Sequence, residues 1–246
     1  MTNSLKKVAI VTGASRGIGA AIARRLADDG FAVVVNYAGN AAAAAALVQE
    51  IQASDGQAIA VQADVSDPKA VRGLFDAAEN AYGGVDVLVN NAGVMKLARF
   101  AEADDATFDQ VVAINLKGVF NGLREAARRL RDGGRIVNFS SSVIGLYQPT
   151  YGIYAATKAA VEAMTHILAK ELGARQITVN AIAPGPVATE LFLADKSDVA
   201  LETIKRMNPL GRLGEVEDIA GAVSLLVDPD GGWINGQVVR VNGGVI

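Results

Sequence analysis

The chain has 246 residues, of which 51% are apolar and 20% are charged, and its formal net charge is -3. This composition is typical of a folded globular protein with a sizeable core, and it offers no basic field for nucleic acid. The sequence contains no cysteine and one histidine, His166. Disulfides, thiolate catalysis and metal sites built from Cys or His are therefore excluded, and we expect no metal.

The apolar stretch near the N-terminus is too short for a signal peptide. No segment reaches the roughly 18 to 20 apolar residues of a membrane span. These features predict a cytoplasmic protein without a membrane partner.

Short β-branched runs alternate with longer helical patterns along the whole chain. Runs predicted to be strands cover residues 8–11, 33–35, 59–61, 85–89, 136–139, 177–182 and 238–241. Their continuous apolar character is typical of strands buried on both faces, and the intervening helices indicate crossovers into a parallel sheet. The pattern predicts an α/β fold, a Rossmann-like doubly wound sheet of about seven strands in a single domain over residues 1–246.

The pattern loosens between Pro186 and Glu215 into polar and irregular sequence. Long irregular insertions in compact domains are often lids. We expect residues 186–214 to form a mobile cover over a substrate.

The first predicted strand runs into TGASRGIG at residues 12–19 and then into a helical pattern. Glycines allow the backbone to approach a pyrophosphate, and the free amides and dipole at a helix start attract its charge. Because the motif lies between a strand and a helix, it predicts a dinucleotide site.

The end of the second strand distinguishes between the two nicotinamide cofactors. A site for NAD normally places an acidic residue there to hold the ribose hydroxyls, but this chain has Asn36, Tyr37 and Ala38. Arg16, inside the glycine turn, offers a guanidinium for a ribose phosphate. We therefore expect NADP(H) to be favoured over NAD(H).

Tyr154 and Lys158 are four residues apart in a helical pattern, so a helix would bring the phenol and the ammonium onto one face. A nearby cation favours tyrosinate and is expected to lower the Tyr154 pKa toward the working pH. The pair therefore predicts a proton donor.

Taken together, the ordered motifs resemble those of the short-chain dehydrogenase/reductase family over essentially the whole chain. They are the glycine turn, Asp64-Val65 after the third strand, Asn90-Asn91-Ala92-Gly93 after the fourth, Asn115, serines after the fifth strand, Tyr154 with Lys158, and Pro184-Gly185 after the sixth.

The resemblance implies four catalytic positions. Tyr154 would protonate the substrate oxygen, Lys158 would lower the tyrosine pKa and bind the nicotinamide ribose, and Asn115 would hold a water that links Lys158 to solvent. Three consecutive serines, Ser140, Ser141 and Ser142, are candidates for the residue that contacts the carbonyl oxygen. Family spacings from Arg135 and Tyr154 favour Ser141, and the spacing to Gly145 favours Ser142. We choose Ser141.

The resemblance also implies the residues that bind the cofactor. They are Gly13, Ser15, Arg16, Gly17, Ile18, Gly19, Asn36, Tyr37, Ala38, Asp64, Val65, Asn91, Ala92, Gly93, Tyr154, Lys158, Pro184, Gly185, Val187 and Thr189.

A hydrophobic pocket wall suits a small or medium carbonyl compound. Its expected residues are Val94, Met95, Ser142, Val143, Tyr147, Tyr151, Leu191, Phe192 and Met207. Within the family, the motifs resemble those of 3-oxoacyl-carrier-protein reductases and broad carbonyl reductases. An acyl-carrier protein would need a basic patch, for which Arg128, Arg129, Arg131 and Arg175 are available, although solvation of these side chains is the simpler interpretation.

The resulting expectation is a reversible, NADPH-dependent reduction of a ketone or aldehyde. Three alternatives fit the sequence less well. They are a non-catalytic NADP-binding sensor or scaffold, an oxidative NAD-linked alcohol or sugar dehydrogenase, and a nucleotide-sugar epimerase of the longer, related type. The resemblance also implies a homotetramer that pairs long helices and the last strand.

Overall fold

The computed structural model of the protein describes residues 6–194 and 196–246, without the side chain of Leu191. One parallel sheet contains seven strands in the order β3-β2-β1-β4-β5-β6-β7. The strands are β1 Val8–Val11, β2 Ala32–Tyr37, β3 Gln57–Gln62, β4 Val85–Asn90, β5 Leu130–Phe139, β6 Thr178–Pro184 and β7 Val238–Val241.

Helices connect the strands and cover both faces of the sheet. They are α1 Gly17–Asp28, α2 Ala41–Ala53, α3 Pro68–Tyr82, α4 Asp105–Val112, α5 Gly118–Arg129, α6 Val143–Leu146, α7 Gly152–Glu171, α8 Glu190–Leu193, α9 Asp198–Met207 and α10 Val216–Val227. A π-helical turn, Ala113–Lys117, lies between α4 and α5, and short 3-10 turns cover Gly173–Arg175 and Pro229–Trp233.

Local sequence accounts for several of these boundaries. Helix α2 begins after Asn40, whose side chain accepts a hydrogen bond from the Ala43 amide at 3.0 Å, and its alanines are the strongest helix formers. Helix α3 begins with Pro68 after Asp67, which caps the Lys69 amide, and it ends at Gly83 with a left-handed φ of 81°.

Two apolar cores lie on the two faces of the sheet, and the central strand β1 contributes to both of them. All four residues of β1 are fully buried. The Rossmann-like doubly wound fold predicted from the alternating runs is confirmed. The outer strand β3 differs from the expected continuous burial, because Ala58 is its only buried residue and three of its six residues are exposed.

Residues 186–214 contain two helices, α8 and α9, instead of the irregular chain that the sequence predicts. A bridge between Val187 and Gly214 closes the base of this excursion, and no residue of α9 is buried. Val187, at the base of the segment, packs in one of the two cores, whereas α9 lies outside both. Among the described residues, none of the helices combines the length and apolar character needed to cross a bilayer.

Candidate active site

A cleft of about 830 Å³ opens at the carboxyl ends of the central strands, the place where open α/β sheets bind ligands. Every residue that the resemblance assigned to the cofactor lies along it, as do Ser141, Tyr154 and Lys158. The cleft therefore brings together the expected cofactor residues and three of the four expected catalytic residues, which come from six separate connections of the chain.

The glycine turn leads from β1 into α1, and the space in front of Gly17 is open. Gly17 has a φ of 55°, and a Cβ built there would meet nothing closer than a methyl of Thr189 at 3.8 Å. Gly19 is crowded instead, because a Cβ would lie 2.4 Å from the Gly13 carbonyl oxygen. The turn thus keeps free space before α1 and packs closely behind it.

The side-chain amides of two asparagines at the ends of the neighbouring strands hold the glycine turn in place. Asn36, which is 1% exposed, accepts a hydrogen bond from the Gly13 amide at 3.2 Å and donates to the Ala63 carbonyl at 3.0 Å. Asn91 donates to the carbonyls of Thr12 and Gly13. The side chains of Asn36 and Asn91, expected to bind the cofactor, therefore shape the turn that would hold it.

Arg16 lies at the rim of the cleft with its guanidinium 3.3 Å from the carboxylate of Glu190 on α8. Both side chains are mostly exposed, and ion pairs of this kind contribute little to stability. A phosphate group bound in the cleft would compete with Glu190 for the guanidinium of Arg16. Tyr37, Ala38 and Asn40 form the adjoining wall, and no acidic residue lies at the end of β2.

Asn115 interrupts the helical run that joins α4 to α5, and the chain forms a π-helical turn around it. Both polar atoms of its side chain contact Val94: Nδ2 donates to the carbonyl and Oδ1 accepts from the amide, each at 2.8 Å. Asn115 is fully buried and is not part of the cleft surface. Its side chain fixes the segment after β4, and the water that it was expected to hold stays a prediction.

The three consecutive serines after β5 have different environments. Ser142 is buried, donates to the Ala183 carbonyl and accepts from Asn242, each at 3.0 Å. Ser141 instead lies beside the hydroxyl of Tyr154, whose pKa it lowers, and its Oγ accepts a hydrogen bond from the Val143 amide at 3.3 Å. Because the Ser142 hydroxyl is occupied by the backbone of β6 and by Asn242, the geometry favours Ser141 as the serine that faces a substrate.

Tyr154 and Lys158 lie one turn apart on α7, with the lysine Nζ 5.7 Å from the centre of the tyrosine ring. Burial raises the pKa of Tyr154 to about 12; the Ser141 hydroxyl opposes this shift and Tyr151 adds to it. Burial also lowers the pKa of Lys158 to about 8. The expected lowering of the tyrosine pKa is therefore absent, because desolvation disfavours the charged form of both groups.

Lys158 makes one hydrogen bond in this site, from Nζ to the Phe139 carbonyl at 2.8 Å. A Cβ built on Gly93 would lie 3.7 Å from this Nζ and 3.4 Å from Oδ1 of Asn115. A side chain at position 93 would thus fill the space between the lysine and the cleft.

The substrate end of the cleft is mostly apolar. Of the expected wall, the residues that line it are Val94, Met95, Ser142, Val143, Tyr151, Phe192 and Met207. Tyr147 does not, because its left-handed backbone with a φ of 50° leaves the side chain 86% exposed. The side chain of Leu191 lies outside the described part of the structure.

Sequence reasoning missed several residues of this wall. They are Leu146, Gln148, Lys196, Ile204 and Val245. No motif or spacing marks them, since their position depends on how the excursion and the chain end fold back over the cleft.

The four arginines considered for carrier-protein docking do not form a free basic patch. Arg129 pairs with Asp76 and Glu79, Arg131 with Asp86, and Arg175 with Asp132. Carboxylates of the chain itself thus neutralise all but Arg128.

Comparison with known proteins identifies the family. The family model described as Enoyl-(Acyl carrier protein) reductase matches residues 13–246. A short-chain type dehydrogenase/reductase of Picea abies is 49% identical over 98% of this chain and 92% of its own length. The chain belongs to the short-chain dehydrogenase/reductase family.

Other members of the short-chain dehydrogenase/reductase family are similar over nearly the full length. An NADPH-dependent aldehyde reductase-like chloroplastic protein of Arabidopsis thaliana is 44% identical over 98% of this chain and 94% of its own. A short-chain dehydrogenase from Burkholderia cenocepacia, solved in complex with NADP, is 40% identical, covers 99% of both chains and superposes with a TM-score of 0.93. The recognition made from the ordered motifs is confirmed.

Proposed function

We propose that this protein is an NADPH-dependent reductase of ketones or aldehydes, reversible in direction, with Tyr154 as the general acid. One observation carries the proposal: Tyr154, Ser141 and Lys158 lie together in the same cleft as the glycine turn and most of the expected substrate wall. Similarity to an NADPH-dependent aldehyde reductase-like protein and to a dehydrogenase solved with NADP supports it.

The residues present fit a dinucleotide. The open space before Gly17 and the free start of α1 suit a pyrophosphate, Asp64 and Val65 suit the adenine, and Thr189 with Pro184 to Val187 suits the nicotinamide. Bound NADPH would supply the hydride for the reaction.

The protein would orient the carbonyl and provide the proton. Ser141 and Tyr154 would both donate hydrogen bonds to the substrate oxygen, which stabilises the negative charge that develops there. Tyr154 would then transfer its proton to that oxygen. A tyrosine with a pKa of about 12 is protonated at neutral pH, so the site is prepared for reduction. Lys158 would hold the nicotinamide ribose.

Cofactor choice is expected to depend on Arg16. NADPH should bind at least about tenfold more tightly than NADH, because the guanidinium can form charge-assisted hydrogen bonds with the 2′-phosphate. Arg16→Ala should remove most of this difference by weakening NADPH and leaving NADH within about twofold. Fluorescence titration of both cofactors measures it.

Arg24→Ala is the matched control for Arg16→Ala. Arg24 lies on α1, the helix that Arg16 directly precedes, and also pairs with a carboxylate, that of Glu50 at 2.6 Å, but it does not line the cleft. Equal or tighter binding of NADH by the unaltered enzyme would contradict the cofactor assignment.

The substrate is proposed to be a small or medium hydrophobic carbonyl compound, covered by residues 186–214. NADPH absorbance loss with a panel of aldehydes, ketones and acyl thioesters tests the activity and its range. Absence of turnover across aldehydes and ketones would reject the proposed function. Because carboxylates pair with three of the four candidate arginines, we do not propose an acyl-carrier protein as a partner.

We also propose a homotetramer. Apolar side chains exposed on and near α4 and α5 include Phe100 at 80%, Phe108 at 49% and Phe120 at 46%, and Trp233 near the edge strand β7 is 98% exposed. Exposed aromatics of this size are typical of interfaces. Sedimentation at micromolar concentration should give four copies, and a monomer would contradict the assignment.

A further inference from the structure

A hydrogen bond between Ser140 and Glu162 joins the end of β5 to the catalytic helix α7. Oγ of Ser140 donates to Oε1 of Glu162 at 2.6 Å, and Ser140 is 3% exposed. Hydrogen bonds to an ionised carboxylate are about twice as strong as those between neutral groups. Glu162 lies one helical turn after Lys158, so the two charged residues share a face of α7.

A second hydrogen bond connects the same two elements in the opposite direction. Lys158 on α7 donates to the carbonyl of Phe139, the residue that directly precedes Ser140. The backbone at the end of β5 is therefore held to α7 by an acceptor at Phe139 and by a donor at Ser140. We call these two hydrogen bonds the β5–α7 clamp.

The clamp sets the positions of all three reacting side chains. Ser141 is the next residue along the chain, Lys158 is oriented by the Phe139 carbonyl, and the Tyr154 hydroxyl lies beside Ser141. A change at Ser140 or Glu162 would therefore move the serine relative to the tyrosine. The proton transfer proposed for Tyr154 does not involve the carboxylate of Glu162. Glu162 would therefore affect the reaction only through the positions of Ser141 and Tyr154.

The fold does not depend on the clamp to keep α7 in place. Thr165 lies on α7 two turns after Lys158. It accepts a hydrogen bond from Nδ2 of Asn138 at 2.9 Å, and both residues are fully buried. The helix also packs through Val161 and Leu168 in the core. Loss of the Ser140 to Glu162 bond should thus loosen the site locally and leave the domain folded.

We propose that Glu162 and Ser140 are positioning residues for the carbonyl reduction. They hold the end of β5 so that Ser141 and Tyr154 converge on one substrate oxygen. This inference rests on the proposed function. Glu162 acts through Ser140, because Ser140 lines the cleft and Glu162 does not.

The kinetic test compares Ser140→Ala and Glu162→Ala with Glu162→Gln. Both alanine variants should lower kcat about tenfold, because misplacement of reacting groups by a fraction of an ångström costs rate, and KM for NADPH should stay within about twofold. Glu162→Gln retains an acceptor for Ser140 and should recover kcat to within about threefold of the unaltered enzyme. The double variant should be no slower than either single variant.

Ser224→Ala provides the matched control. Ser224 is also nearly buried and donates to a carboxylate, Asp29, at the same 2.6 Å, but it joins α10 to the end of α1. The Ser224→Ala variant should have a lower Tm, as Ser140→Ala should, and an unchanged kcat. A kcat within twofold of the unaltered enzyme in both alanine variants, or an equal kcat loss in Ser224→Ala, would overturn the proposal.

Crystal structures of Ser140→Ala and Glu162→Ala test the clamp without activity. The distance from Oγ of Ser141 to the Tyr154 hydroxyl should lengthen by more than about 0.5 Å, beyond the tolerance of a preorganised site. An unchanged distance would overturn the proposal. If the unaltered enzyme reduces no carbonyl compound, the proposed function fails and this distance alone decides on the clamp.

Discussion

Tyr154→Phe should lower kcat for carbonyl reduction by about 10²- to 10⁴-fold, the usual contribution of a positioned general acid. The change removes one oxygen atom from a half-buried ring whose hydroxyl lies beside Ser141. Without that hydroxyl, the developing oxyanion loses both its proton donor and one of its two hydrogen bonds. Initial rates of NADPH oxidation with the best aldehyde or ketone measure the effect.

Tyr82→Phe is the control for loss of a partly buried phenol. Burial raises the pKa of Tyr82 as well, but the residue ends α3 and does not line the cleft. It should keep full turnover. A Tyr154→Phe enzyme with near-native turnover on any accepted ketone would disprove the role of the tyrosine as acid.

Lys158→Met should have opposite effects on activity and stability. We expect kcat to fall about 10²-fold, because the ribose and the tyrosine lose their common contact. Stability at neutral pH should rise by about 2 kcal/mol: charging the buried amine costs about 3 kcal/mol, and the hydrogen bond to Phe139 returns about 1 kcal/mol of this. Methionine has a similar length and needs no solvation.

The pH dependence of this gain follows from the lowered pKa of Lys158. The value falls from 10.5 in the unfolded chain to about 8 in the fold, so below pH 8 both states carry the proton and the folded state bears the full cost of burying the charge. Between pH 8 and 10.5 the unfolded chain binds this proton and the folded chain does not. The free energy of unfolding therefore rises with pH in this window, and the advantage of the methionine variant shrinks.

Thermal unfolding of the two proteins at pH 7 and pH 10 checks this expectation. Lys170→Met, which removes an exposed charge from the same helix, should change Tm little at either pH. A Lys158→Met enzyme that is less stable than the unaltered protein at pH 7 would contradict the account of a costly buried cation.

The fold was predictable because its signals are local and repeated. Apolar runs and helical stretches alternate along the chain, and the carboxyl ends of parallel strands meet at one edge, so residues as distant as Gly13, Asn91 and Tyr154 could be placed together. The distortion at Asn115 could also be expected, since asparagine is a poor helix former in mid-helix; the structure has a π-helical turn there.

The electrostatics and the substrate wall were not predictable in the same way. The spacing of Tyr154 and Lys158 indicates a cation near a phenol, but the burial that raises one pKa and lowers the other depends on the whole fold. Tyr147 was misplaced because the left-handed backbone of a single residue decides where its ring points. The contact between Ser140 and Glu162 was missed because it spans 22 residues and no pattern marks it.

A crystal structure of the enzyme with NADP and an alcohol product tests the central claim most directly. The account predicts that the alcohol oxygen lies within about 2.6 to 3.2 Å of both Oγ of Ser141 and the Tyr154 hydroxyl, with Lys158 at the nicotinamide ribose. A complex in which Tyr154 and Lys158 point away from the nicotinamide and the product oxygen would contradict it.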